Sequence, residues 1–102
     1  MTPKSKPKAN LSSAAWTELK RLPSNVRRQM TTAIDGLEQD PRPPNSKRLT
    51  QTDEQYEARR LRLGHWRIIY LIIEEQCLVL AIRRRPPYDY SDLEALIRGV
   101  HR

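Results

Sequence analysis

The chain has 102 residues, with 19 Lys+Arg against 12 Asp+Glu, a net charge of +7 and a pI near 10.1. That is one domain, large enough for one modest core and too short for a second. The longest uncharged apolar run, residues 68–73, falls far below the ~20 residues of a membrane helix, and no apolar segment follows the basic N-terminus, so no span and no secretory signal are expected and the chain is placed in the cytoplasm. The single cysteine, Cys77, excludes an internal disulfide, and with two distant histidines it supports no structural zinc site.

Residues 1–8, MTPKSKPK, hold two prolines, three lysines and no large apolar residue after Met1. They read as a flexible basic arm with a nonspecific affinity for polyanions, ahead of a single domain over residues 9–102. A first strand would have to lie around residues 8–11. Ser12 or Ser13 can cap a helix to about Leu22, with Ala15, Leu19 and Leu22 on one face. Pro23 breaks the chain, and Ser24 is a candidate cap for a second helix. Val26, Met30, Ala33, Ile34 and Leu37 form its apolar stripe. The stop at Asp40-Pro41 is firm, because proline disfavours helical backbone in the residue before it.

Residues 41–55 form a polar, proline-rich loop, after which the apolar period changes from 3.6 to 2. Residues 60–63 alternate, Gly64-His65 is a two-residue turn, residues 66–73 are a strand apolar on both faces, and residues 78–83 are a further strand after a turn near Glu75-Gln76. Ser91 and Glu94 make a capping box for a short helix over residues 92–98, stopped by Gly99. The fold class is therefore α+β: an N-terminal helical hairpin on a small, mainly antiparallel twisted sheet, with a short C-terminal helix.

Register turns the strands into a site. A Gly64-His65 turn sets Arg62 opposite Arg67, and a turn of two or four residues centred on Glu75-Gln76 sets Arg67 opposite Arg84, whereas a three-residue turn would move Arg84 off that face. Alternation then places Arg60, Arg62, Arg67 and Arg84 on one face, at one end of the sheet. The other face carries Leu61, Leu63, Trp66, Ile68, Tyr70, Ile72 and Val79 for the helices to cover. Behind the arginines runs an apolar band, Ile69, Leu71, Ile73, Leu80 and Ile82, which needs the C-terminal helix or a partner as cover. Like charges across a strand pair cost about 0.2–1 kcal/mol each. That cost makes sense if a polyanion occupies the face, unless Glu57, Glu74 or Asp89 neutralises it from within.

In its order and spacing the chain resembles the RelE/ParE superfamily of toxins from bacterial toxin–antitoxin pairs. The resemblance runs over residues 11–90: the helical stretch ending in LKRLP, the run to Asp40-Pro41, and above all RLRLGHWRIIY at residues 60–70, followed by a last strand, a basic residue and a downstream tyrosine. It implies a first strand, a helical hairpin and three antiparallel strands. In the RelE branch it implies an enzyme, a ribosome-dependent endoribonuclease (mRNA interferase) that needs no metal or cofactor. The RNA 2′-OH attacks the adjacent phosphate, leaving a 2′,3′-cyclic phosphate and a 5′-OH. By position, Arg67 matches the phosphate-binding arginine, Arg60 and Arg62 the basic residues of the preceding strand, Arg84 or Arg85 the arginine after the last strand, and Tyr88 or Tyr90 the tyrosine that orients or stacks on the substrate. No general base is evident; His65, Glu57 and Lys47 are the candidates, Lys47 also as a substrate contact. Trp66 and Tyr70 read as core, and Cys77 as a passive small residue. The implied partners are mRNA on the ribosome and a cognate antitoxin that inhibits translation arrest by covering the arginine face. A ParE-like inhibitor of DNA gyrase and an inactive nucleic-acid or antitoxin binding module are the alternatives.

Overall fold

A computed structural model describes residues 9–50 and 56–99; the basic arm expected over residues 1–8 and the end of the polar loop lie outside them. The elements run β1 (Asn10–Leu11), α1 (Ser13–Lys20), α2 (Ser24–Gln39), β2 (Ser46–Arg48), β3 (Glu57–Leu63), β4 (Trp66–Ile73), β5 (Gln76–Arg84) and α3 (Leu93–Arg98). The strands form one sheet in the order β1-β5-β4-β3-β2, with only β1 and β5 parallel. No helix of the described residues is long and apolar enough to cross a membrane.

Ser12 starts α1 and ties it to the sheet. Its Oγ accepts from the Ala15 amide at 3.1 Å, and its own amide donates to the Val79 carbonyl at 2.9 Å. Ser24, by contrast, is not the cap of α2. Pro23 holds that position with no side-chain hydrogen bond, and Ser24 is the first helical residue. The expected stripe does face inward: Met30, Ile34 and Leu37 are fully buried, with Val26 and Ala33 packed beside them. The stop comes at Asp40, whose backbone is extended before Pro41.

The sheet buries both faces, so the expected one core is two. One cluster lies under α1 and α2, where Leu61, Ile68, Tyr70, Ile72 and Val79 meet the helical stripe as expected. The other lies on the opposite face, where α3 brings Leu93 onto Ile69, Leu71 and Leu80. Tyr70, within the first cluster, donates its hydroxyl to the Pro41 carbonyl at 2.7 Å and pins the loop after α2 to β4. Cys77 is buried, and burial pushes its thiol up to about 11, in keeping with a passive role.

Three expectations on the strands need correction. The polar loop contains β2, whose Ser46, Lys47 and Arg48 pair with Leu61, Arg60 and Arg59; an edge strand bonded on one side needs no apolar alternation. The second turn is Glu74-Glu75, both in left-handed backbone at φ 53° and 62°, so Ile73 pairs with Gln76. Between Ile69/Ala81 and Tyr70/Val79 the register slips by one, leaving Leu80 as the extra residue of a β-bulge. Ile82 therefore joins the cluster under the helices instead of the apolar band.

Arg42 braces three segments. Its guanidinium donates to Glu57 at 2.7 Å and to Glu75 at 3.1 Å, while Arg59 reaches Glu57 from the other side at 2.8 Å. Arg42, with Arg59 behind it, holds the Glu57 carboxyl down at about 2. A lowered carboxyl contributes stability above its unfolded value, and that contribution disappears as the carboxyl protonates. Unfolding free energy should thus fall as pH drops from about 4.5 toward 2, by about 1 kcal/mol after solvent screening of the exposed Arg42. Glu57→Gln should flatten this segment of the pH profile in denaturant titrations.

Candidate functional site

The β3–β4 turn fixes the first part of the site. Gly64 supplies the left-handed residue at φ 58°, Leu63 pairs with Trp66, and Arg62 lies opposite Arg67, as the sequence predicts. Lys47 of β2 lies opposite Arg60 of β3. Side-chain alternation puts Lys47, Arg60, Arg62 and Arg67 on one face, the face that carries Ala58, Ile69 and Leu71 farther along the same strands. They make a basic row across three neighbouring strands, which lie ~4.8 Å apart.

The bulge decides what continues the row on β5. Arg67 lies opposite Arg83, and Arg84 lies opposite Trp66. Arg84 is thus turned to the helix side of the sheet, against the expectation that it would join Arg67. One extra residue at Leu80 has inverted the alternation beyond it.

Arg83, which occupies the place expected for Arg84, is neutralised by its own chain. Its Nε donates to Glu18 Oε2 at 3.0 Å and its Nη1 to Asp92 Oδ2 at 2.8 Å. Lys47, Arg60, Arg62 and Arg67 have no carboxylate partner among the described residues. Arg67 folds back instead on its own turn. Its Nη1 donates to the Gly64 and Trp66 carbonyls at 2.9 Å each, and its buried Nε meets no acceptor. These carbonyls hold the guanidinium in place without cancelling its charge.

The segment after β5 supplies aromatic rings. The Arg85 amide donates to the His65 carbonyl at 2.7 Å, bringing the tail beside the β3–β4 turn. Tyr88 and Tyr90 lie 4.8 Å apart between ring centroids, Arg83 sits 5.2 Å from the Tyr88 ring and Arg85 5.4 Å from the Tyr90 ring. The Tyr88 hydroxyl donates to Asp92 Oδ1 at 2.7 Å. Burial, followed by that carboxylate, raises the phenol well above its ordinary range, so Tyr88 is no proton acceptor near neutral pH. Tyr90 has left-handed backbone at φ 65°, and its buried hydroxyl finds no partner. Arg83, Tyr88 and Asp92 border a cleft of about 400 Å³.

Of the candidate bases, Glu57 lies on the other face, paired with Arg42 and Arg59 and held at about 2, which removes it as a neutral-pH base. His65 sits exposed at the turn tip, and Lys47 belongs to the basic row. Neither Glu57, Glu74 nor Asp89 neutralises that row among the described residues. The residues missed from the sequence are Glu18, Arg83 and Asp92. Arg83 stood in a run of three arginines whose facing only the bulge could settle, and Asp92 lay inside the apparent capping box. That box does not form: α3 starts at Leu93 with no side-chain cap, and Glu94 pairs with Arg98 at 3.8 Å.

A family model described as the ParE toxin of the type II toxin–antitoxin system, parDE, matches residues 9–86. Comparison with curated protein sequences gave no match. Among solved structures, the chain is similar to the archaeal RelE–RelB complex of Pyrococcus horikoshii OT3, with 23% identity over 80% of this chain and 98% of that chain and a TM-score of 0.67. It is also similar to the RelB–RelE antitoxin–toxin complex of Methanococcus jannaschii, with 16% identity over 80% and 98% and a TM-score of 0.64, and to the isolated E. coli RelE toxin, with 18% identity over 93% and 99% and a TM-score of 0.59. At these identities the structures establish the shared fold.

Unpaired cations aligned on one face bind a flexible polyanion by releasing its counterions. Replacing Arg60, Arg62 and Arg67 together by alanine should lower the slope of log affinity against log salt for a single-stranded polyanion by about 2, with circular dichroism unchanged. An unaltered slope would place the binding surface elsewhere.

Proposed function

Because the chain belongs to the RelE/ParE superfamily of toxins of type II toxin–antitoxin systems, we propose that it is a RelE-type endoribonuclease that cleaves mRNA on the ribosome in the cytoplasm and is silenced by a cognate antitoxin. The observation that carries this reading is the row of Arg60, Arg62 and Arg67, held on one face with no carboxylate partner among the described residues. In the reaction the RNA 2′-oxygen bonds to the adjacent phosphorus as its proton passes to solvent water, the P–O5′ bond breaks, and the 5′-oxygen takes up a proton from water to leave as a hydroxyl. Negative charge gathers on the phosphate oxygens in between. A guanidinium already fixed in place stabilises that charge without reorganising, and Arg67, anchored on the Gly64 and Trp66 carbonyls, meets this requirement. Arg60, Arg62 and Lys47 hold the flanking phosphates, and Arg85, Tyr88 and Tyr90 offer the stacking surface for a base. Arg84, on the other side of the sheet, takes the role of a backbone contact at the rim of the cleft.

Two of the similar structures are complexes of RelE with RelB. An antitoxin for this chain needs an acidic, partly disordered segment, which would neutralise the row and order itself on the surface. A second reading, inhibition of DNA gyrase without RNA chemistry, is favoured by the ParE description of the matching family and by the neutralisation of Arg83 within its own chain.

Mapping mRNA ends in cells expressing the chain separates the two. New 5′-OH ends inside translated frames are expected, and Arg67→Ala should lower their rate of appearance by about 10²–10³ while leaving the protein folded. Intact mRNA accompanied by gyrase-linked DNA breaks would replace the first reading with the second, and unaffected growth would leave a binding module.

A further inference from the structure

Asp92 is placed to cap α3 and does not. It stands immediately before Leu93, where an aspartate ordinarily turns its carboxylate onto the free amides of the first turn, yet no amide of α3 reaches that carboxylate, and only the Asp92 backbone carbonyl accepts, from the Leu96 amide at 3.0 Å. Its two oxygens go to side chains of other segments: Oδ1 accepts from the Tyr88 hydroxyl at 2.7 Å and Oδ2 from Arg83 Nη1 at 2.8 Å. The connection continues inward. Arg83 Nε donates to Glu18 Oε2 at 3.0 Å, and Glu18 Oε1 accepts from the Ile82 amide at 2.7 Å. The chain of contacts therefore runs from the backbone of β5, through a carboxylate on α1 and a guanidinium, to Asp92 and the phenol.

We propose that Asp92 is a positioning residue of the RNA site, fixing the Tyr88 ring beside Arg83 and withdrawing Arg83 from phosphate binding, with Glu18 as the inner anchor. The proposal rests on the endoribonuclease reading above. A local helix signal has been given up for contacts to a different segment, which is where function, and not helix stability, sets the residue. Two consequences distinguish positioning from mere support. The Tyr88 hydroxyl hydrogen is committed to Asp92, so the residue meets RNA with its ring face and its oxygen lone pairs. Arg83, paired twice, adds little to affinity. Loss of the Asp92 charge therefore leaves Arg83 with a single carboxylate, Glu18, and frees the Tyr88 ring at the same moment: binding holds or tightens while turnover slows. A structural defect would weaken both.

The test uses the full chain carrying Asp92→Asn, which keeps the size of the side chain. Cleavage is followed in a ribosome-containing translation reaction, binding by the salt dependence of affinity for a single-stranded RNA oligomer, and the phenol by NMR titration of ring-labelled Tyr88. Turnover should fall on the order of tenfold with RNA affinity equal or higher, and the Tyr88 titration should move down toward the ordinary ~10. Asp92→Glu should restore both in part. In the Tyr88→Phe background, Asp92→Asn should cost less than it does alone, because the two side chains act together. A Tyr88 titration unmoved by Asp92→Asn, or parallel losses of binding and turnover, would overturn the proposal. Absence of cleavage by the unaltered chain would instead overturn the endoribonuclease reading, while the titration would still report whether Asp92 holds Tyr88. Should Asp92→Asn fail to fold, Glu18→Gln carries the same test one link further in, and unchanged affinity and turnover there would count against the network.

Discussion

Side chains of a strand alternate between the two faces of a sheet, so a single inserted residue inverts everything beyond it. In β5 that residue is Leu80. Before the bulge, Cys77 and Val79 face the helical hairpin; after it, Ile82 does, and Arg83 faces the basic row while Arg84 turns away. Without the bulge, Arg84 would stand beside Arg67 and Arg83 would lie under the helices, away from Asp92. The internal pairing of Arg83 and the turning away of Arg84 both follow from this one irregularity.

Two electrostatic arrangements then lie side by side. Along β2, β3 and β4 the cations face solvent without counter-charge from the described chain, at a cost that repulsion across strand pairs makes certain. At the end of β5, carboxylates from α1 and from the tail converge on Arg83. The second arrangement ties the tail to β5 and α1, and the first keeps its cations without a carboxylate of the described chain. Arg67 lies at their boundary, held by carbonyls that orient it and leave its charge available. Dividing the guanidinium groups into neutralised and exposed sets lets the chain keep a high net charge without dispersing it evenly.

Much of this was legible in the sequence because local rules and tertiary packing agree. The α2 stripe, the Asp40-Pro41 stop, the Gly64-His65 turn and the Arg62–Arg67 pairing are each set by neighbouring residues, and each is found. Where the reading failed, a contact distant in sequence prevailed. β2 exists because β3 offers it a partner, with Ser46, Lys47 and Arg48 carrying no pattern of their own. Glu74 and Glu75 accept left-handed backbone with no glycine or asparagine to signal it, and their turn shifts the strand that follows. The Ser91–Glu94 box satisfies every local criterion, yet Tyr88 and Arg83 claim Asp92 instead. Of the candidate site, the basic row was readable from alternation alone, whereas the Glu18–Arg83–Asp92–Tyr88 connection spans α1, β5 and the tail and has no signature within any one of them.

The cover over the second apolar cluster is the least secured element of the sheet's surroundings. α3 is six residues long and begins without a side-chain cap, below the length at which a helix persists by itself. Its attachment depends on Leu93, with Leu96 and Ile97 beside it, resting on Ile69, Leu71 and Leu80. Local opening should accordingly begin here, well before the hairpin detaches from the other side. Each such excursion wets a greasy strip next to a strongly cationic one, so the surface available to a passing macromolecule is wider than the closed shape displays.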